Sequence, residues 1–266
     1  MQETIGGSRI MLLASVIKKV APPPAIESFD RFLFLGPHPD DIEIGAGATI
    51  AKLAGKGKKI TFLICTDGRF GLDFVPKGTT PEELIEIRKK ESIAAAARLG
   101  VTDVRFLGFS DGGAYQFEDL KKGIARMIGE VQPEVIFAPD PCVDSECHTD
   151  HLNVGEAARR MAFFAPFSQI MAGLDARSAD VQALAYYMTA KPNQYIRIGS
   201  EMTKQFKSIQ AHVSQFPKNS DAFKQVALYL KLRSLYFGAK SLKGKAEGFR
   251  VLGKVQMHCL PEAGLK

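Results

Sequence analysis

The sequence predicts an α/β protein with a Rossmann-like, mostly parallel sheet, helices on both faces and a C-terminal elaboration. Two observations carry this. Short apolar runs alternate with helical segments through the first 140 residues, and polar clusters follow three of those runs. Alternation of this kind argues for parallel strands joined by crossover helices. Such sheets bind ligands beyond the carboxyl ends of their strands.

RFLFLG (31–36) is a buried strand on its apolar run, followed by a helix around Ala46–Ala54 and a second strand, KITFLIC (59–65). Thr80, Pro81 and Glu83 form an N-cap, first-turn proline and capping box for a helix running to Leu99, closed by Gly100. VRFLG (104–108), a helix over 118–131 and the strand EVIFA (134–138) complete the alternation. Beyond residue 165 the pattern weakens into strands at 181–189, 194–198 and 249–258 and helices at 201–211 and 220–237. With no linker or repeat, residues 1–266 read as one domain, residues 1–30 being an N-terminal helical extension. Its helix, 8–20, ends at Pro22-Pro23-Pro24 and reads as amphipathic rather than as a secretory signal.

The chain of 266 residues carries 35 basic and 29 acidic residues, and the excess lies in short clusters such as KGKK (56–59). Nucleic-acid binding would want a denser stripe, so none is expected. No apolar run approaches the roughly 18–20 residues of a membrane span. Four cysteines without a C-x-x-C pair fit a reducing compartment, and a cytoplasmic location is expected.

The three polar clusters are PHPDD (37–41), CTDG (65–68) and PDPCVDSECHTDH (139–151). Adjacent carboxylates at the end of a core strand repel each other and carry a desolvation cost, which a metal ion offsets. Two of only five histidines sit in HTDH, three residues apart and so on one face of a starting helix. Catalytic zinc takes three protein ligands and keeps an open position. His38, Asp41 and His151 supply two imidazoles and a carboxylate. Asp40 is left as the general base, and His148 as the residue that steadies an oxyanion or protonates a leaving group. Asp150 is placed to hold the tautomer of His148. The loop GRFGLDFVPKG (68–78) is long enough to serve as a lid. Taken by spacing alone, Arg88 is a solvated helix charge and His212 a packing residue.

HPDD followed by IEIGAGATIAKL, with a later HTDH, resembles the zinc-dependent N-acetylglucosamine (GlcNAc) deacetylases of the PIG-L (LmbE-like) family. CTDG, EIRKKE, FSDGG, FAPDP, AHVSQFP and AEGF resemble further family blocks. FAPFSQI, KPNQYI and AEGFRV are most similar to the archaeal diacetylchitobiose deacetylases. The resemblance implies Zn2+ on His38, Asp41 and His151, Asp40 as base, and sugar contacts from Arg88 and Asp111. It also implies a homo-oligomer and a small GlcNAc-containing substrate. A histidine in a similar place reaches a neighbouring subunit's site in those enzymes, which makes His258 a substrate-binding candidate although MHCLPE around it departs from their pattern. The expected reaction is release of acetate from diacetylchitobiose or a related saccharide. Alternatives are a thiol- or lipid-linked GlcNAc conjugate, or a metal-dependent phosphoesterase with a second metal. A nucleotide-binding module is disfavoured, because GAGAT (45–49) lacks the G-x-G-x-x-G spacing.

Overall fold

The computed structural model describes residues 19–72 and 75–258. The expected helix of residues 8–20 therefore lies, but for its last two residues, outside the described part. Seven strands form one sheet: β1 (Arg31–Gly36), β2 (Lys59–Thr66), β3 (Asp103–Phe109), β4 (Val135–Pro139), β5 (Ala183–Tyr187), β6 (Gln194–Arg197) and β7 (Ala246–Gly253), in the order β3-β2-β1-β4-β5-β7-β6. The first five pair in parallel, and β7 runs antiparallel to both β5 and β6.

β1 shows why a continuous apolar run becomes a central parallel strand. Successive side chains point to opposite faces. Phe32 and Phe34 enter the core on one face, Leu33 and Leu35 the core on the other. Phe34 stacks on Phe137 of β4 with ring centroids 4.2 Å apart. The first face is covered by α1 (Asp41–Gly55) and α2 (Pro81–Leu99), the second by α3 (Phe117–Val131) and α4 (Thr149–Phe164). The short α5 (Ser168–Ala172) follows α4, and α6 (Glu201–Ile209) and α7 (Asp221–Ser241) lie in the C-terminal part.

α2 has the capping box read from the sequence, and Gly100 ends it in the left-handed region. Two elements depart furthest from their expected boundaries. α1 starts at Asp41 rather than near Ala46, because Asp40 takes the N-cap position and the helix runs straight out of the PHPDD turn. β7 covers 246–253 instead of 249–258: Ala246 pairs with Arg197, and after Gly253 the chain turns, with Gln256 accepting the Gly253 amide. Among the described residues no helix is long and apolar enough to cross a membrane.

β1 is flanked by β2 and β4, so the chain leaves it in one direction and returns on the other side. This is a topological switch point, where the strand ends open a crevice. The PHPDD turn leaves β1, and the segment 140–151 leaves β4, on the two sides of that crevice.

Candidate metal centre

Three donors of the sequence-derived ligand set meet in this crevice. His38 Nδ1 lies 3.1 Å from Asp41 Oδ2, and His151 Nε2 lies 3.3 Å from the same oxygen. A tetrahedral zinc with bonds of about 2.0–2.1 Å needs ligand atoms about 3.3 Å apart. Two of the three donor separations therefore already stand close to the edge length of such a site, and all three donors lie within 4.8 Å of one another. A second trio within reach of one ion is His38, His148 and Asp150. Most of the Asp150 lone pairs are committed elsewhere. Asp150 accepts four hydrogen bonds, from the amides of Gly112 (2.7 Å) and Gly113 (2.8 Å), from Tyr115 Oη (2.9 Å) and from His38 Nε2 (2.9 Å). A carboxylate has about four acceptor positions, and Gly112, Gly113 and Tyr115 take three of those on Asp150, which leaves the one that faces His38.

Asp150 departs from the sequence reading. Its nearer carboxylate oxygen is 3.8 Å from His148 Nδ1, beyond hydrogen-bond range, and it bonds His38 instead. What fixes the tautomer of His148 is the backbone: the Asp150 amide donates to His148 Nδ1 at 3.3 Å. The neutral ring must then carry its proton on Nε2. Burial, together with the neighbouring His38 and His151, pushes the His148 pKa down, which favours that neutral form. The FSDGG turn is explained by the same network. Gly112 and Gly113 both have φ 78°, a region that disfavours side chains, and this turns two consecutive amides onto Asp150.

The adjacent aspartates are driven apart in acidity. Burial opposes ionisation of Asp41, but His151 and His38 outweigh it and hold the carboxyl well below the usual range. Burial raises Asp40 to about 6, with Arg88 pulling the other way. Such divergence between neighbouring carboxyls separates a ligand from a base. Burial works against a proton on His38 as well, yet its bonds to Asp150 and Asp41 raise it to about 10, so metal binding must expel that proton. Asp40 also has φ 101°, a conformation costing on the order of 1–3 kcal/mol for a non-glycine residue and concentrated at functional sites. It makes no side-chain cap to α1, and its Oδ2 accepts from Arg88 Nη2 at 3.2 Å.

Arg88 is buried, 4% exposed, which overturns the reading of it as a solvated charge. Its guanidinium bonds the carbonyls of Pro39 and Gly68 as well as Asp40. A Cβ on Gly68 would lie 2.3 Å from Arg88 Nη1, so the glycine lets the CTDG loop close over the arginine. The α2 sequence contained a signal for this: Leu84, Arg88, Ser92, Ala95, Ala96 and Leu99 form one buried face at helical spacing. Asp111 is also buried. One oxygen accepts from the Phe70 amide at 3.3 Å, and the other has no partner among the described residues. Both residues line a cleft of about 320 Å³ together with His38, Asp40, His148, Phe70 and Gln215. The first part of the expected lid thus packs on the cleft, while Asp73 and Phe74 lie outside the described residues.

Two histidines lie elsewhere. His212 is fully buried against Glu43, Nε2 to Oε1 3.3 Å, behind the base. His258 is exposed and faces the Phe163 ring at 5.2 Å, near the far end of α4 and about 20 Å along that helix from His148. It does not line the cleft of its own chain. Glu146 was not foreseen: its Oε2 lies 3.0 Å from His151 Nδ1, and its Oε1 accepts the His148 amide at 2.9 Å.

Comparison with known proteins agrees with this geometry. The diacetylchitobiose deacetylase of Thermococcus kodakarensis is 33% identical over 238 residues, 88% of this chain and 87% of that one. A 1D-myo-inositol 2-acetamido-2-deoxy-alpha-D-glucopyranoside deacetylase of a Nocardioides species is 34% identical over 169 residues, 52% of this chain and 54% of its own length. The solved N,N'-diacetylchitobiose deacetylase of Pyrococcus horikoshii superposes with a TM-score of 0.82 at 28% identity, covering 94% of this chain and 95% of that one. The family model for GlcNAc-PI de-N-acetylase, PIG-L, matches residues 33–162, a span that holds the aspartates and histidines of the crevice from His38 to His151, and the chain belongs to that family.

Proposed function

We propose that the protein is a zinc-dependent hydrolase that removes the N-acetyl group from a GlcNAc-containing saccharide, diacetylchitobiose or a close relative, releasing acetate. The observation that carries the reading is the division of labour in one crevice. His38, Asp41 and His151 converge within reach of one ion, while Asp40, which belongs to neither candidate trio, borders the same cleft with His148, whose own trio leans on the hydrogen-bonded Asp150. The names of the relatives support the substrate class.

His38 Nδ1, Asp41 and His151 Nε2 would hold the ion, with Asp150 orienting His38 from behind through Nε2. A zinc ion there supplies Lewis acidity, lowering the pKa of a water and polarising the acetamide carbonyl. Asp40 takes the proton of the attacking water, its acidity near neutrality suiting it to the exchange. Arg88 fixes the orientation of that carboxylate. Water oxygen bonds to the acetyl carbon, and the charge that develops on the carbonyl oxygen is met by the Nε2–H of His148. The C–N bond then breaks as Asp40 returns its proton to the sugar nitrogen, and acetate and amine leave. Asp111, which lines the cleft, accepts from a sugar hydroxyl. A two-metal phosphoesterase fits poorly, since the two candidate trios share His38.

Acetate release over diacetylchitobiose, free GlcNAc and thiol- and lipid-linked GlcNAc tests the proposal. The saccharides should yield acetate, a chelator should abolish the yield, and added zinc should restore it. No acetate from any conjugate by the zinc-loaded protein would contradict it.

A further inference from the structure

We infer that Glu146 is a positioning residue for the metal centre, the carboxylate that aims His151 and couples it to His148. The inference rests on the proposed ligand set of His38, Asp41 and His151. Each ligand imidazole has a ring nitrogen facing away from Asp41, and each of those nitrogens meets a carboxylate: His38 Nε2 meets Asp150 at 2.9 Å, and His151 Nδ1 meets Glu146 at 3.0 Å. A ligand histidine whose second nitrogen donates to a carboxylate has its tautomer and ring plane fixed, with the lone pair of the other nitrogen turned to the metal. For His151 this puts the proton on Nδ1 and leaves Nε2 free beside Asp41.

Glu146 is not a further ligand. The imidazole of His151 stands between its carboxylate and the Asp41 oxygen that the two histidines share. Its other oxygen accepts the His148 amide at 2.9 Å. One side chain thereby fixes the ring of a ligand and the backbone of the residue that meets the oxyanion.

The loop is built to present it. Asp140 is held by Arg250, by Thr189 Oγ1 at 2.6 Å and by the Cys142 amide at 3.0 Å, and a turn closes from the Glu146 amide to the Val143 carbonyl at 3.0 Å. A positioning group on a tethered loop holds its geometry better than one on a free excursion. Asp150 reaches the site from α4, and Glu146 reaches it from the irregular segment before that helix.

The test is zinc affinity of the metal-free protein, measured by competition with a chromophoric chelator, for wild type, Glu146→Ala, Glu146→Gln and His151→Ala, alongside the melting temperature of each metal-free form. Glu146→Ala should bind zinc on the order of 10- to 100-fold more weakly, with its metal-free melting temperature close to wild type. Glu146→Gln keeps an oxygen that accepts from Nδ1–H and should fall between the two. An affinity for Glu146→Ala within twofold of wild type would overturn the inference while leaving the ligand set standing. So would a loss matched by an equal fall in metal-free stability, since Glu146 would then only hold the loop. Failure of wild type to bind zinc more tightly than His151→Ala would instead overturn the ligand set, and this inference with it.

Discussion

Asp40→Asn is expected to keep its metal and lose activity by a factor on the order of 10² to 10⁴, the usual cost of removing a general base. Asparagine matches aspartate in shape and tolerates positive φ, so the turn at φ 101° should survive. Its amide oxygen still accepts from Arg88. What it cannot do is take a proton. Asp40 lies outside the converging trio, so metal content should match wild type. The assay is kcat on diacetylchitobiose with zinc content measured on the same preparation. Activity within a few-fold of wild type would remove Asp40 from the role of base.

His148→Ala is expected to lower kcat by roughly 10² to 10³, the range for losing one oxyanion donor, with KM changed far less and zinc retained. The argument rests on geometry. The Asp150 amide occupies Nδ1, so the ring presents Nε2–H to the cleft, and a donor aimed at charge that exists only in the transition state acts on kcat. His148 is also the N-cap of α4, and truncation should cost about 1 kcal/mol of stability. That cost is separable, because a helix-end defect does not alter kcat at a temperature where the protein is fully folded. Loss of zinc in this variant would make His148 a ligand and the assignment wrong.

The parts that were legible in the sequence share a physical property: they are local. The apolar run of β1, the capping box and terminal glycine of α2, and the two short motifs HPDD and HTDH each fit within a few residues, and each recurs in the structure where the pattern put it. What escaped was set by contacts distant in the chain. Asp150 was matched to His148, its neighbour in sequence, whereas folding delivers it to His38, 112 residues away, and to the Gly112 and Gly113 amides. Spacing alone left Arg88 as a surface charge because charge outweighed position, although it falls on the buried face of α2 and only the family resemblance pointed to the site. Glu146 sits in an irregular acidic stretch with Asp140 and Asp144, where no periodicity singles one carboxylate out. The acidity of Asp40 is likewise set by a contact distant in the chain, since Arg88, 48 residues on, lowers what burial raises.

The central claim is that one crevice holds one catalytic ion on His38, Asp41 and His151. Elemental analysis of purified wild type and His151→Ala, paired with acetate release from the same samples, tests it most directly. Wild type should carry one zinc per chain and release acetate, and His151→Ala should carry almost none and be inactive even with zinc supplied at wild-type saturating concentration. Full zinc stoichiometry in His151→Ala would contradict the ligand assignment, and undiminished acetate release by a metal-free wild type would contradict the role of the ion.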